Sequence, residues 1–209
     1  MTRPMTRDDV KILEKTAGYE GHSTLYRFRM RHRLFNGGWS EEMSRELLER
    51  GNAVCVLPYD PVRDEVILVE QFRIGAYAAG LVPWQREVVA GVIEPGETDE
   101  DVARREIVEE AGVAARDLHL VCRCLSSSGI QSEVAIVYCA IVDASGAGGT
   151  FGLDHEHEDI RAAVLTFDDA FALIASGGFQ HAPGVIALQW LAMNRARLRE
   201  ESKSKGDTP

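Results

Sequence analysis

Residues 91–113 read Gly-Val-Ile-Glu-Pro-Gly-Glu-Thr-Asp-Glu-Asp-Val-Ala-Arg-Arg-Glu-Ile-Val-Glu-Glu-Ala-Gly-Val. The stretch divides into a glycine-bounded loop and a helix over 98–111. Thr98 is suited to cap that helix, and Asp99, Glu100 and Asp101 put negative charge in the first turn, where the helix dipole favours it. Gly112 supplies a left-handed stop. At about 100° per residue, Ala103, Ile107 and Ala111 share one apolar face. Glu106 and Glu110 border that face one turn apart, with Glu109 slightly further round. Two carboxylates so placed repel each other. A hard cation such as Mg2+, bound through a few carboxylates plus water and phosphate oxygens, removes the repulsion. The competing reading is a solvated helix in which Arg104 and Arg105 pair with Glu100, Asp101 or Glu109. The Gly-x5-Glu loop ahead of the helix, in register with its acids, favours the metal site.

Outward from this unit, the 209-residue chain is long enough for one domain with a small appendage. It is 45% hydrophobic and 27% charged, a globular composition, and its formal net charge is −10. Such a charge does not attract nucleic acid or an anionic membrane, and it would repel a diphosphate unless cations intervene. No apolar run approaches the ~20 residues of a membrane span, and the polar N-terminus lacks a signal-peptide core. Cys55, Cys122, Cys124 and Cys139 form no C-x-x-C pair. They read as reduced core thiols of a cytoplasmic protein. No G-x-x-x-x-G-K-[ST] motif is present, which excludes a nucleotide triphosphatase of the P-loop kind.

Residues 24–35 alternate large apolar with basic residues, as a half-buried strand does. Asn36-Gly37-Gly38 is a turn, and 40–50 is a polar stretch. Strands are expected near 52–57, 65–70, 86–90, 118–125, 133–142 and 161–166, with Asp60-Pro61 turning between the first two. Helices are expected at 98–111, 168–176 and 184–199, and a frayed tail from 202. This order predicts α/β layers, organised as an N-terminal sheet over 1–50, a main domain over 51–200 and a tail over 201–209. Asp154-His155-Glu156-His157-Glu158-Asp159 is a second acidic cluster. It reads either as a solvated loop or as a source of a water-activating base; a His-x-His zinc site lacks a third nitrogen or sulfur ligand nearby.

Gly91, Glu97, Arg105, Glu106, Ile107, Glu109, Glu110, Gly112 and Val113 match G-x5-E-x7-R-E-U-x-E-E-x-G-U, with U aliphatic. This resembles the signature of the Nudix hydrolases, which cleave a diphosphate linking a nucleoside to another group. Residues 24–195 are similar to the ADP-ribose pyrophosphatase branch of that family. The match runs through Leu-Phe-Asn-Gly (34–37), Leu-Pro-Tyr-Asp-Pro-Val-Arg-Asp-Glu-Val (57–66), Val-Glu-Gln-Phe-Arg-Ile (69–74), Pro-Trp (83–84), Glu-Asp-Ile-Arg (158–161) and Val-Ile-Ala-Leu-Gln-Trp-Leu (185–191).

The resemblance implies an α/β/α sandwich with a mixed sheet, and a small N-terminal antiparallel sheet exchanged in a homodimer. It implies Mg2+, two or three ions with Mn2+ as a substitute, held by the Ala90 carbonyl, Glu106, Glu110 and Glu158. Glu156 would be the general base, with Glu133 as the alternative. Glu109 and Glu110 would support the chemistry, and Arg105 would orient the glutamates. Substrate would be met by Arg73, Val92, Ser127, Ser128, Gly129 and Glu133, and across the subunit boundary by His22, Arg45, Glu46 and Arg50. Two departures stand out: His22-Ser23 replaces an aromatic pair, and Ser128-Gly129-Ile130 replaces Pro-Gly-Gly. The implied activity is hydrolysis of ADP-ribose to AMP and ribose 5-phosphate. Alternatives are another nucleoside diphosphate sugar (ADP-glucose, GDP-mannose) or a nucleotide sensor that binds without cleaving. A sensor would tolerate loss of the box glutamates, and here all three remain.

Overall fold

The computed structural model of the protein describes residues 3–153, 155 and 157–206. The chain forms two compact units. One takes the chain up to Gly51 together with Leu125–Val134; the other takes Asn52–Cys124 and the chain from Ala135 onward.

The first unit holds a three-stranded antiparallel sheet of β1 (Val10–Glu20), β2 (Thr24–His32) and β3 (Met43–Glu49), in that order. On β2 the expected alternation appears: Arg27 and Arg29 are exposed, while Tyr26, Phe28 and Met30 are half-buried. Arg29 bridges Glu14 on β1 (3.0 Å) and Glu42 ahead of β3 (2.6 Å). Sequence reading had no strand at β1. The strand is mostly exposed, and register shifts between Ile12/Glu14 and Ala17/Tyr19 break the period-two pattern that announces a strand. The 125–134 segment is tied to β3, where the Leu48 N–H donates to the Ile130 carbonyl at 2.8 Å.

The second unit is built on a mixed sheet. Its strands are β4 (Ala53–Asp60), β5 (Glu65–Phe72), β6 (Trp84–Glu87), β7 (Val89–Val92), β8 (Asp117–Leu125), β9 (Val134–Ile141), β10 (Gly149–Phe151) and β11 (Ile160–Thr166). The main order is β10-β11-β5-β4-β9-β8, with β6 on β5 and β7 on β4. Only the β4–β9 ladder is parallel among the described pairings. The helices are α1 (Ile74–Ala78), α2 (Asp99–Ala111), α3 (Phe167–Ser176) and α4 (Ala182–Gly206).

Strand alternation separates two apolar layers. Cys55, Leu57 and Tyr59 of β4 pack with Val66 and Leu68 of β5 against Phe167, Ala170, Leu188, Leu191 and Leu198 of α3 and α4. The alternate residues Val54, Val56, Ile67 and Val69 are fully buried toward the other face, and α2 packs on β4 and β7. The result is an α/β/α sandwich. Several details depart from expectation, the short elements α1 and β10 among them. The single strand expected at 86–90 is two strands, broken at Val88, and α4 continues through Gly206 into the stretch expected to fray. Among the described residues, no helix is long and apolar enough to cross a membrane.

The β4–β5 turn is an electrostatic latch. Asp60 Oδ1 accepts from the Val62 and Arg63 N–H groups, and Oδ2 accepts from the Ala144 N–H at 3.0 Å. Asp64 takes the left-handed conformation, φ 63°. Its carboxylate accepts from the Tyr59 hydroxyl (2.8 Å), from Arg195 Nε (2.7 Å) and from Arg199. Burial pushes the Asp64 carboxyl up, but these donors outweigh it and its pKa falls below the ordinary value. A depressed carboxylate stabilises above its unfolded pKa of about 4 and loses that contribution as pH drops through the folded value. Asp64→Asn keeps a residue tolerant of the left-handed turn and removes the charge. It should cost about 1–3 kcal/mol at neutral pH. Thermal melts should show the gap to wild type narrowing as pH falls below about 4; a constant gap would refute the latch.

Candidate active site

Helix α2 begins as its residues dictate. The Thr98 hydroxyl accepts from the Asp101 N–H at 3.2 Å, and Gly112 ends the helix at φ 67°. Val102, Ala103, Ile107 and Ala111 are wholly buried against the sheet. That seam carries Glu106 and Glu110 to the protein's inner side. Glu110 is only 2% exposed, and the Glu106 side chain only 13%.

Strand β7 receives them. The Ala90 N–H donates to Glu110 Oε2 at 3.1 Å. At Gly91 a Cβ would stand 1.8 Å from Glu106 Oε1, so this position has room for glycine and no side chain. Burial raises the Glu110 carboxyl to about 8; the Ala90 N–H opposes this, and the neighbouring Glu106 and Glu158 reinforce it. Burial likewise raises Glu106 to about 7, against the pull of Arg105. Both acids are thus held where ionisation is costly without a compensating cation.

Arg105 supplies one such charge. Its Nη1 lies 2.8 Å from Glu106 Oε1 and 2.9 Å from Glu109 Oε2, and its Nε lies 3.4 Å from Glu97 Oε1. Glu97 Oε2 also accepts from the Glu94 N–H at 3.0 Å, closing the loop ahead of the helix. Arg104 pairs with no acid of the helix here and instead donates to the Ala115 carbonyl. Glu158 is close enough for its charge to raise both Glu106 and Glu110, and its Oε2 accepts from the Leu153 N–H at 3.2 Å.

A divalent ion fits this donor set in one specific sense. Two dehydrated carboxylates and the half-buried Ala90 stand beside a glycine whose missing side chain leaves them space. Among the described residues, no group of three His, Cys, Asp or Glu side chains gathers closely enough to hold an ion unaided. Carbonyl, water and phosphate oxygens would therefore complete the shell, as Mg2+ prefers. Glu156 and Asp154 lie outside the described residues. His155 and His157 are exposed, His157 at φ 57°.

Arg73 sits where β5 passes into α1. Its Nε lies 3.1 Å from both Glu87 oxygens and its Nη2 2.7 Å from Oε2. The fork expected to clasp phosphate is thus engaged by Glu87, and Nη1 takes no part in that pairing. Val92 ends β7 half-buried, opposite Ala53.

The remaining expected residues belong to the first unit. Glu133 is 9% exposed, held by Arg50 at 3.1 Å and by the Ser126 hydroxyl at 2.6 Å. The Ser127 carbonyl closes a turn by accepting from Ile130 (3.0 Å) and Gln131 (2.9 Å), with Ser128 and Gly129 exposed at its tip. Arg45 and Glu46 are exposed on β3, and His22 is exposed at the β1–β2 turn.

Sequence reading passed over Glu87. A faint signal existed: one acidic residue stands directly before the apolar run Val88-Val89-Ala90, where burial without a partner is costly.

Comparison with known proteins identifies the family. A NUDIX domain model matches residues 49–201. The chain is 46% identical over 195 residues to an ADP-ribose pyrophosphatase of Escherichia coli (strain K12), covering 93% of each chain. It is 41% identical over 202 residues to one from Haemophilus influenzae, covering 95% of this chain and 93% of the other. A GDP-mannose pyrophosphatase of Enterobacter sp. (strain 638) is 29% identical over 72% of this chain and 78% of its own. A solved structure described as an ADP compounds hydrolase superposes with a TM-score of 0.68 at 21% identity, covering 99% of this chain and all of that one, a likeness of fold.

Gly91→Ala tests the cradle. The added methyl group must displace Glu106, at a folding cost of about 1–3 kcal/mol. Calorimetric titration with Mn2+ should show affinity falling at least about tenfold, as supporting-residue changes do at metal sites, with the circular dichroism spectrum unchanged. Wild-type affinity would remove Gly91 from the site.

Proposed function

The chain belongs to the NUDIX family, and from that premise we propose that it hydrolyses the diphosphate of ADP-ribose to AMP and ribose 5-phosphate with Mg2+. The observation that carries the substrate is the extent of the match to the ADP-ribose pyrophosphatases. At 41–46% identity it spans 93–95% of the chain, beyond the 49–201 region common to the family. The GDP-mannose pyrophosphatase match is 29% and covers 72%.

In this reading Glu106, Glu110, Glu158 and the Ala90 carbonyl hold two or three ions, with Mn2+ able to replace Mg2+. Bound there, they supply charge neutralisation of the diphosphate and acidification of a water. The chain's own groups do the rest. Ala90 N–H fixes the Glu110 carboxylate, and Arg105 orients Glu106 and Glu109. Glu156 takes the proton of the attacking water as its oxygen bonds to phosphorus, and the bridging P–O bond breaks. Glu133, with Arg50, lines the ribose side. The protein works in the cytoplasm as a homodimer that exchanges its N-terminal sheet, so that His22, Arg45, Glu46 and Arg50 serve the neighbouring site.

A substrate panel with Mg2+ tests the reading. ADP-ribose should turn over faster than ADP-glucose or GDP-mannose, and equal or slower turnover would refute the assignment. Tight ADP-ribose binding without product would indicate a sensor. Glu110→Gln should lower kcat/KM on the order of 10³-fold, the several kcal/mol expected of a lost metal ligand, with the fold intact. Glu156→Gln should lower kcat while KM changes little. A larger loss from Glu133→Gln would move the base to that residue.

A further inference from the structure

Glu87 has no part in the carboxylate group, yet it is among the few buried charges of the second unit, 6% exposed. It closes β6 opposite Val69 of β5, and the two-residue period puts Gln71 and Arg73 on the same face. Both its oxygens are spent on one edge of Arg73, Nε and Nη2, at 2.7–3.1 Å. The Arg73 N–H meanwhile donates to the Pro83 carbonyl at 2.7 Å, pinning the base of the side chain. A guanidinium gripped along one edge can turn about few bonds, and its Nη1 edge then has a fixed direction. The charges of Glu110 and Glu158 both raise the Arg73 pKa, so the guanidinium lies within electrostatic range of the carboxylate group. His181 faces the same pair. Its Nδ1 is buried without a hydrogen-bond partner among the described residues, and burial lowers its pKa, so the ring offers Glu87 no competing cation at neutral pH.

We infer that Glu87 is a positioning residue for the hydrolysis, holding Arg73 so that its Nη1 edge meets a phosphate oxygen of the substrate. The inference rests on the diphosphatase reading given above. It explains why a side chain suited to clasp phosphate has its best two-donor edge occupied: the glutamate sets the angle, and the remaining edge does the binding. It also makes residues 87–91 a single template. Glu87 aims the arginine, Ala90 aims Glu110, and Gly91 admits Glu106.

The test compares wild type, Glu87→Gln, Arg73→Ala, the double variant and Arg73→Lys on ADP-ribose, with melting temperatures for each. Glu87→Gln should lose about 10–100-fold in kcat/KM, the usual effect of removing an outer partner. The double variant should be no worse than Arg73→Ala, since the two act as one unit. Added guanidinium should restore part of the Arg73→Ala activity and none in the double variant, a readout that a purely structural role would not move. If Glu87→Gln fails to fold, Arg73→Lys decides. A lysine keeps the charge but cannot present two edges, so it should match Arg73→Ala, and wild-type-like activity would overturn the inference. Normal activity of a folded Glu87→Gln, or losses that simply multiply in the double variant, would overturn it while leaving the diphosphatase reading intact. An inert wild type would defeat that reading first.

Discussion

The seam between α2 and the sheet governs the rest of the second unit. Val102, Ala103, Ile107 and Ala111 have no exposed surface, so the helix has one rotational setting about its axis. That setting leaves Glu110 almost without water and Glu106 nearly so. An isolated buried carboxylate costs several kcal/mol, and the protein answers with one backbone N–H and one shared guanidinium. The compensation is incomplete, which is why both acids hold their protons toward neutral pH. Apolar packing thus creates an electrostatic deficit at a defined place, and a strongly held cation is the natural way to remove it.

The break at Val88 has the same logic from the sheet side. A continuous strand over 84–92 would lie along a single neighbour. Split, β6 pairs with β5 and β7 pairs with β4. The first half aligns Glu87 with Arg73, and the second sets Ala90 and Gly91 under the helix acids. Val88 joins the layer packed under α3 and α4, while Val89 is fully buried outside that cluster, so the break lies where both faces of the sheet are covered.

Much of this was legible in the residues. The cap at Thr98, the stop at Gly112 and the carboxylate edge of α2 depend on local rules, and they stand in the structure where those rules put them. The core strands were legible because burial on both faces writes continuous apolar runs. What escaped depends on partners distant in sequence. β1 has little burial and a broken period, and only its pairing with β2 makes it a strand. The β6–β7 break escaped because nothing local says that Trp84–Glu87 pairs with one strand and Val89–Val92 with another. The Arg73–Glu87 pairing escaped too, since nothing in the sequence states that Glu87, fourteen positions on, faces Arg73. The Glu133–Arg50 ion pair was not legible either, because Arg50 comes from another part of the chain.

Charge balance around the carboxylates carries the argument one step further. Among the described residues, Glu87, Glu97, Glu106, Glu109, Glu110 and Glu158 stand against Arg73 and Arg105, six acids to two cations and four negative charges in excess if all are ionised. The whole chain, at −10, reinforces that field. Both arginines are already engaged by glutamates, so neither can draw in a dianionic diphosphate alone. Two dications, bound as proposed, would cancel the local excess of four and leave a diphosphate a neutral or positive surface to meet. On the proposed metal site, affinity for the substrate would follow metal loading, with the arginines setting orientation after the cations have set the charge.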